Sequence, residues 1–137
     1  LSLGPNDLTQ YVLAVDRGNE HVADRFDALH PAVLGLVRTT VRAGRATETP
    51  VSLCGEVAGD IYAVPILIGL GLTTFSMAPA SLSVVKPIIR HIDRGEAESL
   101  AATACAAPDA STVRERAKEW VNERLASSGL SEIDGLF

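Results

Sequence analysis

The sequence has 137 residues, 47% of them hydrophobic, and a formal net charge of -5. That length and composition fit one compact domain with its own core. The 12 lysines and arginines are scattered, so no cationic stripe predicts nucleic-acid binding. No apolar run reaches the roughly 18 residues of a membrane span. We therefore expect neither nucleic acid nor a membrane as a partner.

Two cysteines, Cys54 and Cys105, lie far apart in unlike surroundings. Such a pair does not indicate a disulfide framework and favours a reducing compartment, so we expect a cytoplasmic protein. The chain opens on Leu1 rather than methionine, and residues 1–4 resemble the end of a strand. We expect it to be part of a longer protein.

Short β-prone runs alternate with helical patterns along the chain. The runs are Leu1–Gly4, Val51–Cys54 and Thr73–Met77, each bounded by glycine or proline. Helices are predicted over residues 8–15, 31–43, 61–70 and 96–106. Another is predicted between the third and fourth of these, with Leu82, Val85, Ile89 and Ile92 on one face. The last runs from Ser111 to just before Gly129. Their predicted caps are Asn6 or Asp7 for the first, Asp60 for the third and Ser111 for the last.

This alternation predicts an α/β fold with parallel strands and crossover helices. Three strands cannot close a sheet, whereas an eightfold barrel has eight. We therefore predict the C-terminal portion of a (β/α)8 TIM barrel over residues 1–92, followed by a helical C-terminal extension over residues 93–137.

Residues that follow barrel strands share the face where reactions occur. Asn6 and Asp7 follow the first strand, Cys54 ends the second, and Ser76 and Met77 end the third. The topology therefore predicts that these groups converge.

The chemistry of each group leaves two interpretations. Asp7 is either a helix cap or an oxygen ligand for Mg²⁺. Asn6 is a turn residue or an amide donor to an anion, and Arg17 is a surface charge or a bidentate anion ligand. Cys54 is a buried structural residue or a nucleophile or proton donor, whereas Cys105 is expected to pack in an alanine-rich helix.

Three blocks of sequence closely resemble the end of Enzyme I of the bacterial phosphotransferase system. They are GPNDLTQYVLAVDRGNEHVADRFDALHPAVL, VSLCGEVAGD and FSMAPASLSVVKPIIR, which occur in the family's order within residues 1–92. The resemblance implies a phosphoenolpyruvate-binding barrel. In this family the phosphoryl group of phosphoenolpyruvate passes to a histidine on a separate domain, which releases pyruvate, and then to an HPr-type phosphocarrier protein.

Carried over by motif, the resemblance makes Asp7 the Mg²⁺ ligand and Asn6 and Arg17 phosphate contacts. It makes Cys54 the acid that protonates the methylene carbon of the enolate. The family's phosphorylated histidine and its other phosphate and metal ligands have no counterpart in this sequence. We therefore expect a homodimeric protein in which this chain supplies half an active site and is inactive alone.

Other functions remain open at this point. The chain could belong to pyruvate phosphate dikinase or phosphoenolpyruvate synthase, which share the superfamily. It could also be a non-catalytic oligomerisation module, because the exposed strand edges of a partial barrel can pair with another chain. Whether the protein serves sugar uptake or nitrogen signalling is likewise open.

Overall fold

A three-stranded parallel sheet forms the centre of the molecule. The computed structural model describes residues 1–16 and 18–128. The strands are β1 (Ser2–Leu3), β2 (Ser52–Cys54) and β3 (Thr74–Ser76), and they pair in chain order. The register aligns Leu3 with Leu53 and Leu53 with Phe75. The predicted α/β class with three parallel strands is confirmed.

Six α-helices connect and cover the strands within the described residues. They are α1 (Pro5–Leu13), α2 (Pro31–Ala46), α3 (Ala63–Gly69), α4 (Pro79–Arg90), α5 (Arg94–Cys105) and α6 (Ala110–Ser128). Short 3-10 turns cover Ala23–Arg25 and Glu56–Gly59. Proline stands at the start of α1, α2 and α4, where its fixed φ suits the helix and its missing N–H is not needed.

The first helix begins earlier than the sequence predicts. Gly4 is the N-cap of α1, and Pro5 occupies its first turn. The predicted cap at Asn6 or Asp7 is therefore wrong, because both residues already lie inside the helix. Pro5 outweighs the capping preference of the two polar side chains.

Two other helix starts also differ from the prediction. Asp60 Oδ1 accepts hydrogen bonds from the backbone N–H of Tyr62 at 2.9 Å and of Ala63 at 3.4 Å. Asp60 thus closes the turn ahead of α3, and Pro65 falls in the first turn, where its missing N–H has no helical partner to lose. At α6, Asp109 rather than Ser111 accepts the bond from the Thr112 N–H, at 2.8 Å.

Helix faces and ends show where periodicity misleads. Helix α2 continues past Gly44, whose missing side chain makes room for Val51 and the Thr49 carbonyl. On α4 the buried residues are Val85 and Ile88, whereas Leu82 and Ile89 are 51% and 38% exposed. The predicted α4 face is confirmed at Val85 and Ile92, which pack in a second core cluster, and wrong at Leu82 and Ile89, because Ile88 points at the core instead.

The main core joins β2, α2 and α3 to α5 and α6. Helix α5 lies so close to α3 that a methyl group at Gly69 would overlap the Ala97 carbonyl. The predicted apolar stripe of α6 is confirmed, with Val113, Ala117 and Val121 buried. Other buried members of this cluster are Leu29, Leu34, Val37, Val41, Leu53, Ile66, Leu67, Leu72, Leu100, Ala101 and Ala104. The helices after residue 93 therefore share the core of the preceding strands and helices.

Candidate active site

The carboxyl ends of all three strands meet at one edge of the sheet. Cys54, the last residue of β2, lies opposite Ser76, the last residue of β3. The Gly55 N–H donates to the Ser76 carbonyl at 3.1 Å, which extends the pairing one residue beyond the strands. The segments that begin at Gly4, Gly55 and Met77 therefore leave the sheet side by side, as the topology predicted.

Cys54 lies at the centre of this edge. Its side chain is half-buried, and its thiol donates to the Leu3 carbonyl on β1, with an Sγ–O distance of 3.4 Å. The next residue, Gly55, has φ 100° and ψ -172°, a conformation that is essentially restricted to glycine. A methyl group there would stand 3.6 Å from Pro5 Cγ. The start of α1 thus lies next to the residue that follows Cys54.

Asn6 and Asp7 occupy the first turn of α1. Asn6 is half-buried, and Asp7 is exposed. Because the first backbone N–H groups of a helix have no intrahelical acceptor, this end carries a partial positive charge that favours anions. The helix-cap alternative for Asp7 is removed, since Gly4 holds that position.

An open pocket of about 300 Å³ lies beside these residues. Its polar lining comes from Asn6, Asp27, Glu56, Asp60 and Arg114, and Phe26, Ala28 and Val57 complete it. Of the described residues that line it, Asn6 alone belongs to the predicted site. Glu56 could have been noticed from its place just after Cys54-Gly55, whereas nothing in the spacing of the sequence indicates Arg114.

The connection between α1 and α2 carries the predicted anion ligand Arg17, which lies outside the described residues. Around it, Asp16 Oδ1 accepts from the Gly18 N–H at 2.8 Å, and Asn19 Oδ1 accepts from the His21 N–H at 3.0 Å. Such side-chain turns order the described residues on either side of Arg17.

Arg114 on α6 forms ion pairs with two carboxylates near the site. Its Nε and Nη2 pair with Asp27 Oδ2 and Oδ1 at 2.5 and 2.8 Å, and its Nη1 pairs with Asp60 Oδ2 at 3.2 Å. Hydrogen bonding to Asp27 is the largest effect that raises the pKa of Arg114 above its ordinary value, and burial opposes it. The guanidinium is therefore a fixed cation held by two carboxylates.

The second cysteine plays the packing role that the sequence predicts. Cys105 is half-buried on α5 and packs against the main core. Burial raises the pKa of its thiol, and the charge of Arg38 partly offsets that effect. Cys105 is therefore held in its neutral, unreactive form.

Neither a cluster of metal ligands nor a membrane-spanning helix is found in the part of the chain that the structure describes. There, no group of three or more His, Cys, Asp or Glu side chains is arranged to hold a metal ion. In residues 1–16 and 18–128, no helix combines the length and apolarity needed to cross a lipid bilayer. A metal at Asp7 would thus take most of its ligands from elsewhere.

Comparison with known proteins decides the family. The model of the PEP-utilising enzyme, PEP-binding domain, matches residues 1–94. The chain belongs to this PEP-binding domain family. This match and the relatives described next together confirm the resemblance to phosphoenolpyruvate-protein phosphotransferase, Enzyme I of the phosphotransferase system.

Individual relatives agree with this assignment. The phosphoenolpyruvate-protein phosphotransferase of Haemophilus influenzae is 42% identical over 122 residues, which cover 89% of this chain and 21% of that protein. A protein of Escherichia coli K12 named phosphoenolpyruvate-dependent phosphotransferase system is 44% identical over 130 residues, covering 95% of this chain and 17% of that protein. The phosphotransferase of Cupriavidus necator is 53% identical over 91 residues, covering 66% of this chain and 16% of that protein.

The chain thus spans about a fifth of the length of these relatives. Matches of 122 and 130 residues are longer than the family model's 94, so the similarity continues into the helices after residue 94.

Proposed function

We propose that this chain is the C-terminal part of the phosphoenolpyruvate-binding (β/α)8 barrel of a phosphoenolpyruvate-protein phosphotransferase. In this proposal Asn6 and Arg17 contact the phosphate, Asp7 binds Mg²⁺, and Cys54 donates a proton. The phosphoryl group passes to a histidine on another domain and then to an HPr-type carrier. The protein acts in the cytoplasm as a homodimer.

The observation that carries the proposal is the shared edge of the sheet. Leu3 is paired with Leu53, and Cys54 with Ser76, so the segments with Asn6, Asp7 and Cys54 leave the sheet together. In barrels of this kind the site lies at the carboxyl ends of the strands. The free N–H groups at the start of α1 favour a phosphate there.

Asp7 fits a magnesium site that is completed by other groups. Mg²⁺ is usually held by one or two carboxylates, with water and substrate oxygens as further ligands. Asp7 offers one exposed carboxylate at the proposed phosphate position. When bound, the ion would neutralise the charge that develops on the phosphate and enolate oxygens.

Cys54 would act after the bond between phosphorus and the bridging oxygen breaks. That step leaves an enolate, whose methylene carbon takes the thiol proton to form the methyl group of pyruvate, and solvent then reprotonates the thiolate. Half-burial leaves the thiol partly accessible to a bound enolate. The bond to the Leu3 carbonyl holds the thiol at the edge of the sheet.

Two other functions remain as alternatives. The family description also covers PEP-utilising enzymes in general, which keeps pyruvate phosphate dikinase and phosphoenolpyruvate synthase open. The three relatives described above carry phosphotransferase names, which favours the first proposal. A non-catalytic oligomerisation module would have no use for a thiol and an acid at the strand ends.

Cys54→Ala in the complete protein tests the proposal. We expect pyruvate formation to fall about 100-fold or more, as for the loss of a general acid, while phosphoenolpyruvate binding stays nearly unchanged. A coupled pyruvate assay and calorimetric titration measure the two quantities. Cys105→Ala is the matched control and should keep full turnover. Unchanged turnover in Cys54→Ala would remove the thiol from the mechanism.

A further inference from the structure

Arg114 joins two segments that leave the sheet next to the proposed site. Its bidentate partner, Asp27, belongs to the connection between α1 and α2, which also contains Arg17. Its second partner, Asp60, ends the 3-10 turn that follows Cys54 and Gly55. The distances of 2.5, 2.8 and 3.2 Å make this a three-group ion cluster across 87 and 54 residues of sequence.

Each carboxylate is also bonded to its own backbone. Asp27 Oδ1 accepts from the Leu29 N–H at 2.8 Å, and Leu29 is fully buried. Asp60 Oδ1 accepts from the Tyr62 N–H at 2.9 Å. Movement of either carboxylate would therefore displace the path of its segment, because neither side chain can turn freely away from its own main chain.

Helix α6 holds Arg114 in place, because the residues around it on the helix are packed into the core. Val113, next to Arg114, is fully buried, and so is Ala117 one turn later. The side chains of Asp27 and Asp60 are 19% and 25% exposed, whereas that of Arg114 is 45% exposed, so water screens these pairs on the arginine side only in part. Bidentate arginine pairs also fix orientation, which a single lysine contact does not.

We infer that Arg114 is a positioning residue for phosphoenolpyruvate binding, which rests on the proposed function above. It ties Asp27, in the connection between α1 and α2, to Asp60, which ends the turn after Cys54. Arg114 and Asn6 line the same pocket, but the guanidinium of Arg114 is already paired with the carboxylates of Asp27 and Asp60. Arg114 therefore acts through the two segments and not by contact with substrate.

The test compares Arg114→Ala with Arg116→Ala in the complete phosphotransferase. Arg116 is an exposed arginine on the same helix. We expect Arg114→Ala to raise the KM for phosphoenolpyruvate about tenfold, as for the loss of a charged hydrogen bond, with kcat within about twofold. Amide hydrogen exchange should accelerate over residues 18–28 and 55–60, and Arg116→Ala should change neither quantity.

Asp27→Asn is the second variant, because it removes the charge while keeping the side chain's size. We expect it to raise KM in the same way, and the double variant Arg114→Ala/Asp27→Asn to be no worse than Arg114→Ala. Arg114→Lys should give an intermediate KM. A wild-type KM for phosphoenolpyruvate in Arg114→Ala or in Asp27→Asn would overturn the inference, whatever the exchange rates. Cys54→Ala separates the role of Arg114 from the proposed function. If Cys54→Ala loses turnover while Arg114→Ala keeps a normal KM, only the role of Arg114 is refuted.

Discussion

At the scale of single residues, Gly55 shows how the backbone shapes the proposed site. Its φ of 100° with ψ of -172° lets the chain turn immediately after Cys54. A side chain at this position would be strained by its backbone alone, although the nearest atoms of Pro5 leave room for a methyl group. Conformation rather than space therefore demands glycine.

Gly55→Ala should destabilise the protein by about 1–3 kcal/mol, the usual strain of such a backbone position. Gly35→Ala is the matched control, because Gly35 lies inside α2 with nothing within 4 Å of an added methyl group. That variant should be more stable by about 0.5–1 kcal/mol. Urea unfolding followed by circular dichroism measures both, and equal changes at the two glycines would contradict the argument.

The sequence could predict which residue types gather here but not their local roles. The order of strands was enough to bring Asn6, Asp7 and Cys54 to one edge. Whether Asp7 capped a helix depended on Pro5, whose preference for the first turn outweighed the capping preference of Asn6 and Asp7. The pairing of Arg114 with Asp27 could not be predicted, because no local pattern links residues 87 positions apart.

At the scale of elements, helix starts were the least predictable features. The existence of the helices followed from periodicity, from capping residues or, for α5, from alanine-rich composition, whereas Pro5 at α1 and competing acceptors at α3 and α6 decided the first residue. At α6, Asp109 bonds the Thr112 N–H and the Ser111 hydroxyl, both at 2.8 Å. The bond from the Thr112 N–H is the largest effect that lowers the pKa of Asp109.

This cap predicts a specific pH dependence. Because the folded pKa of Asp109 is lowered, its stabilisation is present above the ordinary carboxyl pKa of about 3.9 and is lost as pH falls through the folded value. Asp109→Ala should therefore be less stable than wild type at neutral pH, with a difference that narrows below roughly pH 4.

Glu115→Ala, an exposed acid on the same helix, is the control for that experiment. Thermal unfolding of the three proteins across acidic pH measures the difference. If the difference in stability between Asp109→Ala and wild type stays constant down to the lowest pH measured, the charge of the carboxylate is not what caps α6.

At the scale of the whole molecule, periodicity alone could not show that α5 and α6 complete the core. The sequence predicts a helical extension after residue 92, and the division there stays a prediction. Close packing of Gly69 against Ala97 and burial of Val113 place these helices in the same core as β2. Only the folded chain brings Arg114 on α6 against Asp27 and Asp60.

In the proposed function, this arrangement makes the edge of the sheet one functional unit. Helix α6 supports the two connections through Arg114, the strands fix Cys54, and α1 presents Asn6 and Asp7. The prediction that depends most directly on this unit concerns Asp7, which has one exposed carboxylate and is not a cap.

Calorimetric titration of phosphoenolpyruvate into the complete protein, with and without Mg²⁺, tests it. We expect Mg²⁺ to tighten binding to the wild-type protein, and Asp7→Asn to weaken binding in the presence of Mg²⁺ about tenfold or more, the equivalent of one charged contact. Without Mg²⁺ the two proteins should bind alike. An Asp7→Asn variant in which Mg²⁺ tightens binding as much as in wild type would contradict the proposed site.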